Sequence, residues 1–187
     1  MLDRVMRVIK LDKSVYAEVE ADQTATSQAA IVVAIVALLS AIGSGLGRVV
    51  AGEGRGFIMA FLVAILSAFV GWLVWSAVTY FVGTSLFKGE ATISEMLRVI
   101  GFAQAPQVLG LLSFIPCLGP ILSLAGWLLS LYTGFLAIQE GLDLDTGKTL
   151  ATVAIGWVVA FIVSLVIGMV FGIGIAGAGV LGGMLRG

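Results

Sequence analysis

The sequence contains no histidine, one cysteine, three prolines and few charged residues, which make up 11% of its 187 positions. Without histidine it lacks the commonest proton shuttle and metal ligand, and the base of most nucleophilic triads. One cysteine excludes an intrachain disulfide. The net charge of -1 provides no basic surface for nucleic acid. We therefore expect no nucleic-acid partner, no metal, no cofactor and no catalytic residue.

Apolar residues are abundant instead: they form 60% of the chain, and the mean hydropathy is +1.14. Four stretches are free of charge, at residues 23–47, 56–87, 99–139 and 149–185. A membrane-crossing helix needs about 20 apolar residues, so the third stretch has room for two crossings and each of the others for one. The sequence predicts an all-α polytopic membrane protein with five transmembrane helices. They lie at about residues 29–46 and 57–82, in a third segment that ends near residue 114, and at about residues 121–138 and 149–171.

Residues 1–27 differ from the membrane domain predicted for residues 28–187. Leu2, Val5, Met6 and Ile9 have helical spacing, with cationic side chains on the rest of the helix. The pattern predicts a short amphipathic helix on the cytoplasmic membrane surface. A mobile charged tail is the alternative.

Lysine and arginine are unevenly divided between the two sides that five crossings would create. One side receives the N-terminal cations and those of the second and fourth loops, and the other receives Arg48, Arg55 and Arg186. Short cytoplasmic segments carry an excess of lysine and arginine. The sequence therefore predicts a cell membrane protein (plasma or inner membrane) with a cytoplasmic N-terminus and an outside C-terminus.

The segment "RVIGFAQAPQVLGLLSFIPCLGP" contains all three prolines, Pro106, Pro116 and Pro120. Proline has no backbone donor and disfavours a helical residue before it, so we expect Pro106 to bend the third crossing. Pro116 and Pro120 bracket a tight turn between two crossings. A re-entrant segment or a solvent-lined cavity is the alternative. Gly101 and Gly119 complete the predicted helix-shaping positions.

Glycines four residues apart form three G-x-x-x-G pairs, which allow helix backbones to approach closely in lipid. Packing within one bundle and association with another chain are both open, and the last helix is the best candidate for an interface between chains. The run "GIGIAG" matches a dinucleotide-binding pattern, but it follows a membrane helix where that pattern requires a strand. The interface candidates are Gly43, Gly47, Gly168, Gly172, Gly179 and Gly183.

Ionisable residues lie only at the predicted ends of the crossings, which argues against an ion pump. Glu95 and Arg98 are expected to be interfacial charges. Asp143 and Asp145 lie in a short loop that supplies too few ligands for calcium, and a polar turn capping the fourth helix explains them better. Polar residues inside the crossings, including Gln104 and Gln107, are an ordinary allowance for a bundle interior.

Three features together resemble the Yip family of Ypt/Rab-interacting membrane proteins, in particular its prokaryotic branch. They are "RVIGFAQAP" at residues 98–106, "FIPCLGP" at residues 114–120, and Trp127 within a five-crossing order. The resemblance implies five crossings, a cytoplasmic N-terminus and self-association. Binding to Rab GTPases is not carried over, because only about 27 residues precede the first crossing here. Prokaryotic members bring no activity to transfer.

The expected function is therefore a non-enzymatic scaffold or accessory subunit. Its partners would be the lipid bilayer, other membrane proteins and a second copy of the chain. A small-solute channel or transporter built around the third and fourth crossings is the alternative, and an enzyme comes third.

Overall fold

The computed structural model describes residues 1–50, 57–162 and 165, and this part of the chain is helical without strands. Two short helices come first, followed by two long apolar ones, a helix that changes type midway, and two further helices. They are α1 (Leu2–Ile9), α2 (Ser14–Ala21), α3 (Ala25–Val50), α4 (Phe57–Phe87), α5 (Ile93–Ala103), a 3-10 helix (Ala105–Phe114), α6 (Leu118–Gly141) and α7 (Thr146–Ile162).

Four stretches are long and apolar enough to cross a membrane: Ala25–Gly47, Phe61–Phe87, Ile93–Phe114 and Leu118–Gly141. The third is one broken helix, formed by α5 and the 3-10 helix. α7 is apolar but shorter, and the rest of the fifth predicted crossing, apart from Leu165, lies outside the described residues. The chain is thus an all-α membrane protein with four candidate spans, and the count of five stays a prediction.

The broken helix runs parallel to α3 and antiparallel to α6. Thr26 of α3 lies 3.5 Å from Ser94, near the start of α5. Further along, the Ser40 hydroxyl donates to the Gln107 carbonyl. On the other side, the Thr133 hydroxyl of α6 donates to the Ala103 carbonyl at 2.7 Å. The broken helix is therefore held between α3 and α6.

One end of the bundle carries the N-terminal helices and both polar connections. The Lys13 ammonium lies 2.8 Å from the Glu140 carboxylate, and the Glu90 amide donates to the Leu142 carbonyl. We call this end, with residues 1–24, 88–92 and 142–145, the polar end. The turn at residues 115–117 joins the 3-10 helix to α6 at the opposite end.

The best-packed core lies at the polar end. Its fully buried side chains come from α1, α2, the first half of α3, α5, the end of α6 and the following loop. Past Pro106, by contrast, no residue of the 3-10 helix is buried. The polar end is thus tightly packed, and the bundle is looser further along. The largest fully buried apolar residues are Tyr16, Phe102, Met96, Ile138, Leu142, Val8, Val15, Val19, Val33 and Val99.

α1 packs against the bundle through Val8, and the side that the sequence predicts to face the membrane stays largely exposed. Val8 is fully buried, whereas Leu2, Met6 and Ile9 are exposed. The apolar part of this helix is wide enough to contact protein on one side and face outward on the other. Contact of the outward side with lipid stays a prediction.

Candidate functional site

Two neighbouring cavities lie where the bundle is loosely packed. The larger has a volume of about 550 Å³ and lies between α4, the broken helix, α6 and α7. The smaller, of about 420 Å³, lies between α3, α4, the 3-10 helix and α6. Both walls contain Gln104, Gln107, Trp127 and Ala68. The cavities therefore meet at the break in the helix, within the candidate membrane spans.

All four tryptophans of the chain line the larger cavity: Trp72, Trp75, Trp127 and Trp157. The Trp72 indole donates to the Leu97 carbonyl at 3.0 Å, which fixes α4 against α5. Trp127 and Trp157 meet edge to face, with ring centroids 6.1 Å apart. Tryptophan in membrane proteins usually marks the two interfaces. Here the rings from three helices are gathered around one interior space.

Gln104 and Gln107 lie at the change from α to 3-10 geometry. α5 ends at Ala103, and Pro106 occupies the first turn of the 3-10 helix. Proline fits a first turn because those residues need no intrahelical donor. Neither carboxamide makes a hydrogen bond within the described residues, and no charged residue lines either cavity. The polar lining is therefore neutral and available to a ligand or water.

Arg98 is buried in the polar end, with 4% of its surface exposed. Its guanidinium donates to the Ser94 hydroxyl at 3.0 Å and to the backbone carbonyl of Glu20. The Glu95 carboxylate lies 3.7 Å away. The predicted interfacial Arg98 is thus covered by α2, because the N-terminal segment folds back onto α5. Its Nε makes no hydrogen bond within the described residues.

The main role of Glu95 is to cap the N-terminus of α5. It forms a capping box with Thr92: the Thr92 amide donates to the Glu95 carboxylate at 2.6 Å, and the Glu95 amide donates to the Thr92 hydroxyl at 3.3 Å. This exchange satisfies two of the donors that a helix N-terminus leaves unpaired.

Ion pairs fasten α1 to α2 and to the two turns on either side of α2. Arg4 lies 2.8 Å from Glu18 and 2.7 Å from Asp22, and Arg7 lies 2.9 Å from Asp12 and 2.7 Å from Glu18. Hydrogen bonds from Ser14 and then Arg7 lower the pKa of Asp12 to about 2. Thr24 and then Arg4 lower the pKa of Asp22 to about 2. The N-terminal segment is therefore held in place and does not form a mobile tail.

The pKa values of Asp12 and Asp22 are lowered, whereas the pKa of Glu20 is raised. Burial raises the pKa of its carboxyl, and the nearby carboxylates of Asp143, Glu95 and Glu140 raise it further, whereas Arg98 lowers it. Removing a carboxylate from water disfavours its charged form.

The glycine candidates that lie in the described part are used inside the bundle. A Cβ at Gly43 would collide with the backbone of Gly110 and Leu111. At Gly101 it would lie 2.7 Å from the Ala29 side chain. Gly47 is less tight, with the nearest atom 3.7 Å away at Phe114. Of the two uses that the sequence left open, packing within the bundle thus applies to Gly43. The candidates Gly168, Gly172, Gly179 and Gly183 lie outside the described residues.

The turn around Pro116 is short and strained. Ile115 is extended, and Cys117 has φ +65°, a backbone conformation that L residues other than glycine rarely adopt. Gly119 lies against the Ser113 backbone, and Pro120 sits in the first turn of α6, where its missing donor costs nothing.

The acidic loop after α6 caps that helix, as predicted, and also begins the next one. The Asp143 and Leu144 amides donate to the Glu140 and Gln139 carbonyls at the end of α6, and the Asp145 carboxylate accepts a hydrogen bond from the Lys148 amide at 3.0 Å at the start of α7. This bond also lowers the pKa of Asp145. Among the described residues, no group of three His, Cys, Asp or Glu side chains is placed to hold a metal ion.

The model of the Yip1 domain matches residues 8–184. The chain belongs to the Yip1 domain family. This match begins near the end of α1 and runs through both cavities, so the docked helix α2 is part of the family domain. No curated protein and no solved structure matched the chain.

Two features of this Yip1 domain were not predicted from sequence. The tryptophan cluster was missed because periodicity does not say which helices are neighbours. A usable signal was present, since Trp72 and Trp127 lie well inside predicted crossings. The docking of α2 was missed because its apolar residues, such as Val15 and Val19, are too few to indicate a partner.

Proposed function

We propose that this Yip1-domain protein is a non-enzymatic membrane scaffold or accessory subunit that binds another membrane protein or a second copy of itself. The observation that carries the proposal is the exposed face of α4. Only 11% of the most apolar stretch of α4 is buried, against 44%, 44% and 33% in the other three candidate spans. A helix at the centre of a transport machinery would be expected to bury more of its surface.

The exposed side chains of α4 form a continuous stripe. They follow each other at intervals of three and four residues, which places them on one helical face. Large aliphatic side chains spaced in this way give a second helix a regular surface on which to pack. The stripe consists of Ile58, Leu62, Leu66, Val70 and Leu73.

The remaining parts of the proposal concern topology and membrane. We propose five crossings, a cytoplasmic polar end and an outside C-terminus, in the plasma or inner membrane. Sharing of one bundle end by the N-terminal segment and both polar connections supports this orientation. The resemblance of residues 98–106 and 114–120 to prokaryotic members supports the prokaryotic branch of the family.

Native extraction with the surrounding lipid, followed by mass spectrometry, tests the scaffold proposal. We expect a stoichiometric protein companion or a discrete homo-oligomer. The double variant Leu66→Trp/Val70→Trp should reduce association, because lipid accommodates the larger rings and a packed helix does not. Leu124→Trp/Leu128→Trp on α6, also exposed, is the matched control. A monomer with lipid alone would contradict the proposal.

A small-solute channel or transporter is the second candidate, and the two cavities that share Gln104 and Gln107 favour it. Flux of an uncharged solute into liposomes containing the full chain tests it. We expect transport to fall when Gln104 and Gln107 are both changed to leucine. Flux equal to that of protein-free liposomes would exclude this candidate.

A further inference from the structure

Two glycines border the larger cavity although packing does not require them. Gly71 of α4 and Gly134 of α6 both line it, and a Cβ added to either would meet no atom within 4 Å. Gly101, by comparison, is pressed against Ala29. Glycine weakens a helix interior relative to alanine. The lack of a side chain at these two positions therefore keeps the cavity open, and it is not needed for a close contact between helices.

The lining of this cavity defines the chemistry of a ligand. Within the described residues, the indole N–H groups of Trp75, Trp127 and Trp157 make no hydrogen bond, and neither do the carboxamides of Gln104 and Gln107. Aromatic faces surround these donors. Because none of the described residues that line the cavity is charged, a charged ligand would lose its hydration without compensation. The site favours an uncharged molecule with oxygen acceptors and an apolar body.

The size and position of the cavity further restrict the class of ligand. A volume of about 550 Å³ falls within the range of sites for small organic ligands, roughly 300–1,000 Å³. Trp127 and Trp157 line the cavity and are also 45% and 46% exposed. The cavity thus reaches the outer surface of the described bundle between α6 and α7. An entrance at this depth would face hydrocarbon.

We propose that this cavity binds an uncharged lipid, with its ester, carbonyl or hydroxyl oxygens at Gln104 and Gln107 and an apolar chain among the tryptophans. The occupant is a resident ligand and not a transported solute. The inference goes beyond the scaffold proposal and does not depend on it. A lipid can be bound whether or not a protein partner associates with α4.

The tryptophans themselves report occupancy. We would reconstitute the full chain in phosphatidylcholine vesicles and quench its fluorescence with diacylglycerol brominated on an acyl chain. Phosphatidylcholine with the same brominated chain, at the same mole fraction, measures quenching by bulk lipid. We expect diacylglycerol to give additional, saturable quenching. Equal quenching by the two lipids at every mole fraction would overturn the inference.

Filling the cavity tests its location. Gly71→Leu/Gly134→Leu should abolish the additional quenching and leave the melting temperature unchanged or raised. Ala154→Leu, an added side chain at an exposed position of α7 that does not line the cavity, should leave it intact. If the double variant fails to fold, Gly71→Ala replaces it, with at least a twofold rise in the half-saturating mole fraction expected. Additional quenching unchanged in the folded variants would overturn the inference.

Two further measurements distinguish the lipid-binding proposal from the scaffold and channel proposals. Gln104→Leu/Gln107→Leu should weaken diacylglycerol binding at least fivefold, and unchanged binding would overturn the assigned position of the oxygens. Mass spectrometry of the lipid bound to the natively purified protein should show an uncharged lipid, and a charged lipid as the bound species would overturn the inference. Saturable lipid binding by a protein that purifies alone would contradict the scaffold and uphold this inference. Solute flux without lipid binding would overturn this inference and favour the channel or transporter candidate.

Discussion

The Arg98 guanidinium donates a hydrogen bond to the backbone carbonyl of Glu20 and so joins the last turn of α2 to a buried position of α5. Hydrogen bonds that involve a charged group contribute about 1.5–3 kcal/mol, more than neutral ones. Because α2 makes few other polar contacts with the bundle, we expect this bond to contribute much of the free energy that holds α2 against α5.

Substituting Arg98→Leu should therefore loosen α2 without unfolding the bundle. Each 1.4 kcal/mol lost speeds exchange through local opening about tenfold, so we expect amide hydrogen exchange in α2 to rise about tenfold or more. Lys148→Ala is the control, since Lys148 only forms an exposed pair with Asp145. Unchanged exchange in α2 would show that Val15, Tyr16 and Val19 hold the segment by themselves.

Acid should release the N-terminal segment. The pKa of Asp12 and that of Asp22 fall from 3.8 to about 2 in the folded chain. A lowered pKa means that the ionised form is favoured by folding, so this stabilisation is present above pH 3.8 and is lost as pH falls towards 2. We expect proteolysis within residues 1–24 to accelerate below about pH 4. Asp12→Asn/Asp22→Asn should remove most of this dependence. Cleavage equal at pH 7 and pH 3 would contradict the prediction.

Glu20 should act in the opposite direction. Its pKa is raised by burial, so its charged form opposes folding, and its protonation stabilises the docked segment as pH falls. Glu20→Gln should therefore slow exchange in α2 at neutral pH and have less effect in mild acid. Asp12→Asn should have the opposite effect and speed exchange in the N-terminal segment at neutral pH, so the two variants can be told apart. Faster exchange in Glu20→Gln at pH 7 would mean that its attraction to Arg98 outweighs its desolvation.

The helices themselves were largely predictable from sequence, since charge-free stretches and prolines mark the spans. Pro106 lies where α5 gives way to the 3-10 helix, and Pro116 lies in the following turn. Neighbour relations were not predictable. Nothing in the local pattern of Arg98 tells whether it faces head groups or the Glu20 carbonyl, because that depends on a segment 78 residues away.

The cavities show the same division. Gln104 and Gln107 were visible as polar residues in an apolar stretch, but their shared position at two cavities depends on the packing of α3, α4 and α6 around the broken helix. The sequence alone does not distinguish a glycine that keeps a cavity open from a glycine that permits two helices to approach closely. Gly134 and Gly43 can be told apart only when the surrounding atoms are known.

That difference can be measured. Gly43→Leu should destabilise the protein by about 1–3 kcal/mol, the usual cost of forcing extra carbons into a packed contact, because the 3-10 helix backbone lies against Gly43. Gly134→Ala should be neutral or stabilising, since it adds a methyl group to open space. Thermal unfolding in one detergent compares the two. Equal effects would argue against the close approach of α3 and the 3-10 helix.

The single cysteine gives a direct test of orientation. Cys117 is exposed in the turn at the end of the bundle opposite the polar end, so the proposed topology places it outside the cell. A membrane-impermeant maleimide should label it in intact cells, whereas Ser14→Cys in a Cys117→Ser background should react only after permeabilisation. Ser14 is exposed at the polar end, so poor accessibility would not explain a negative result. The reverse pattern would invert the orientation, and labelling of both from one side would contradict the arrangement of the bundle across the membrane.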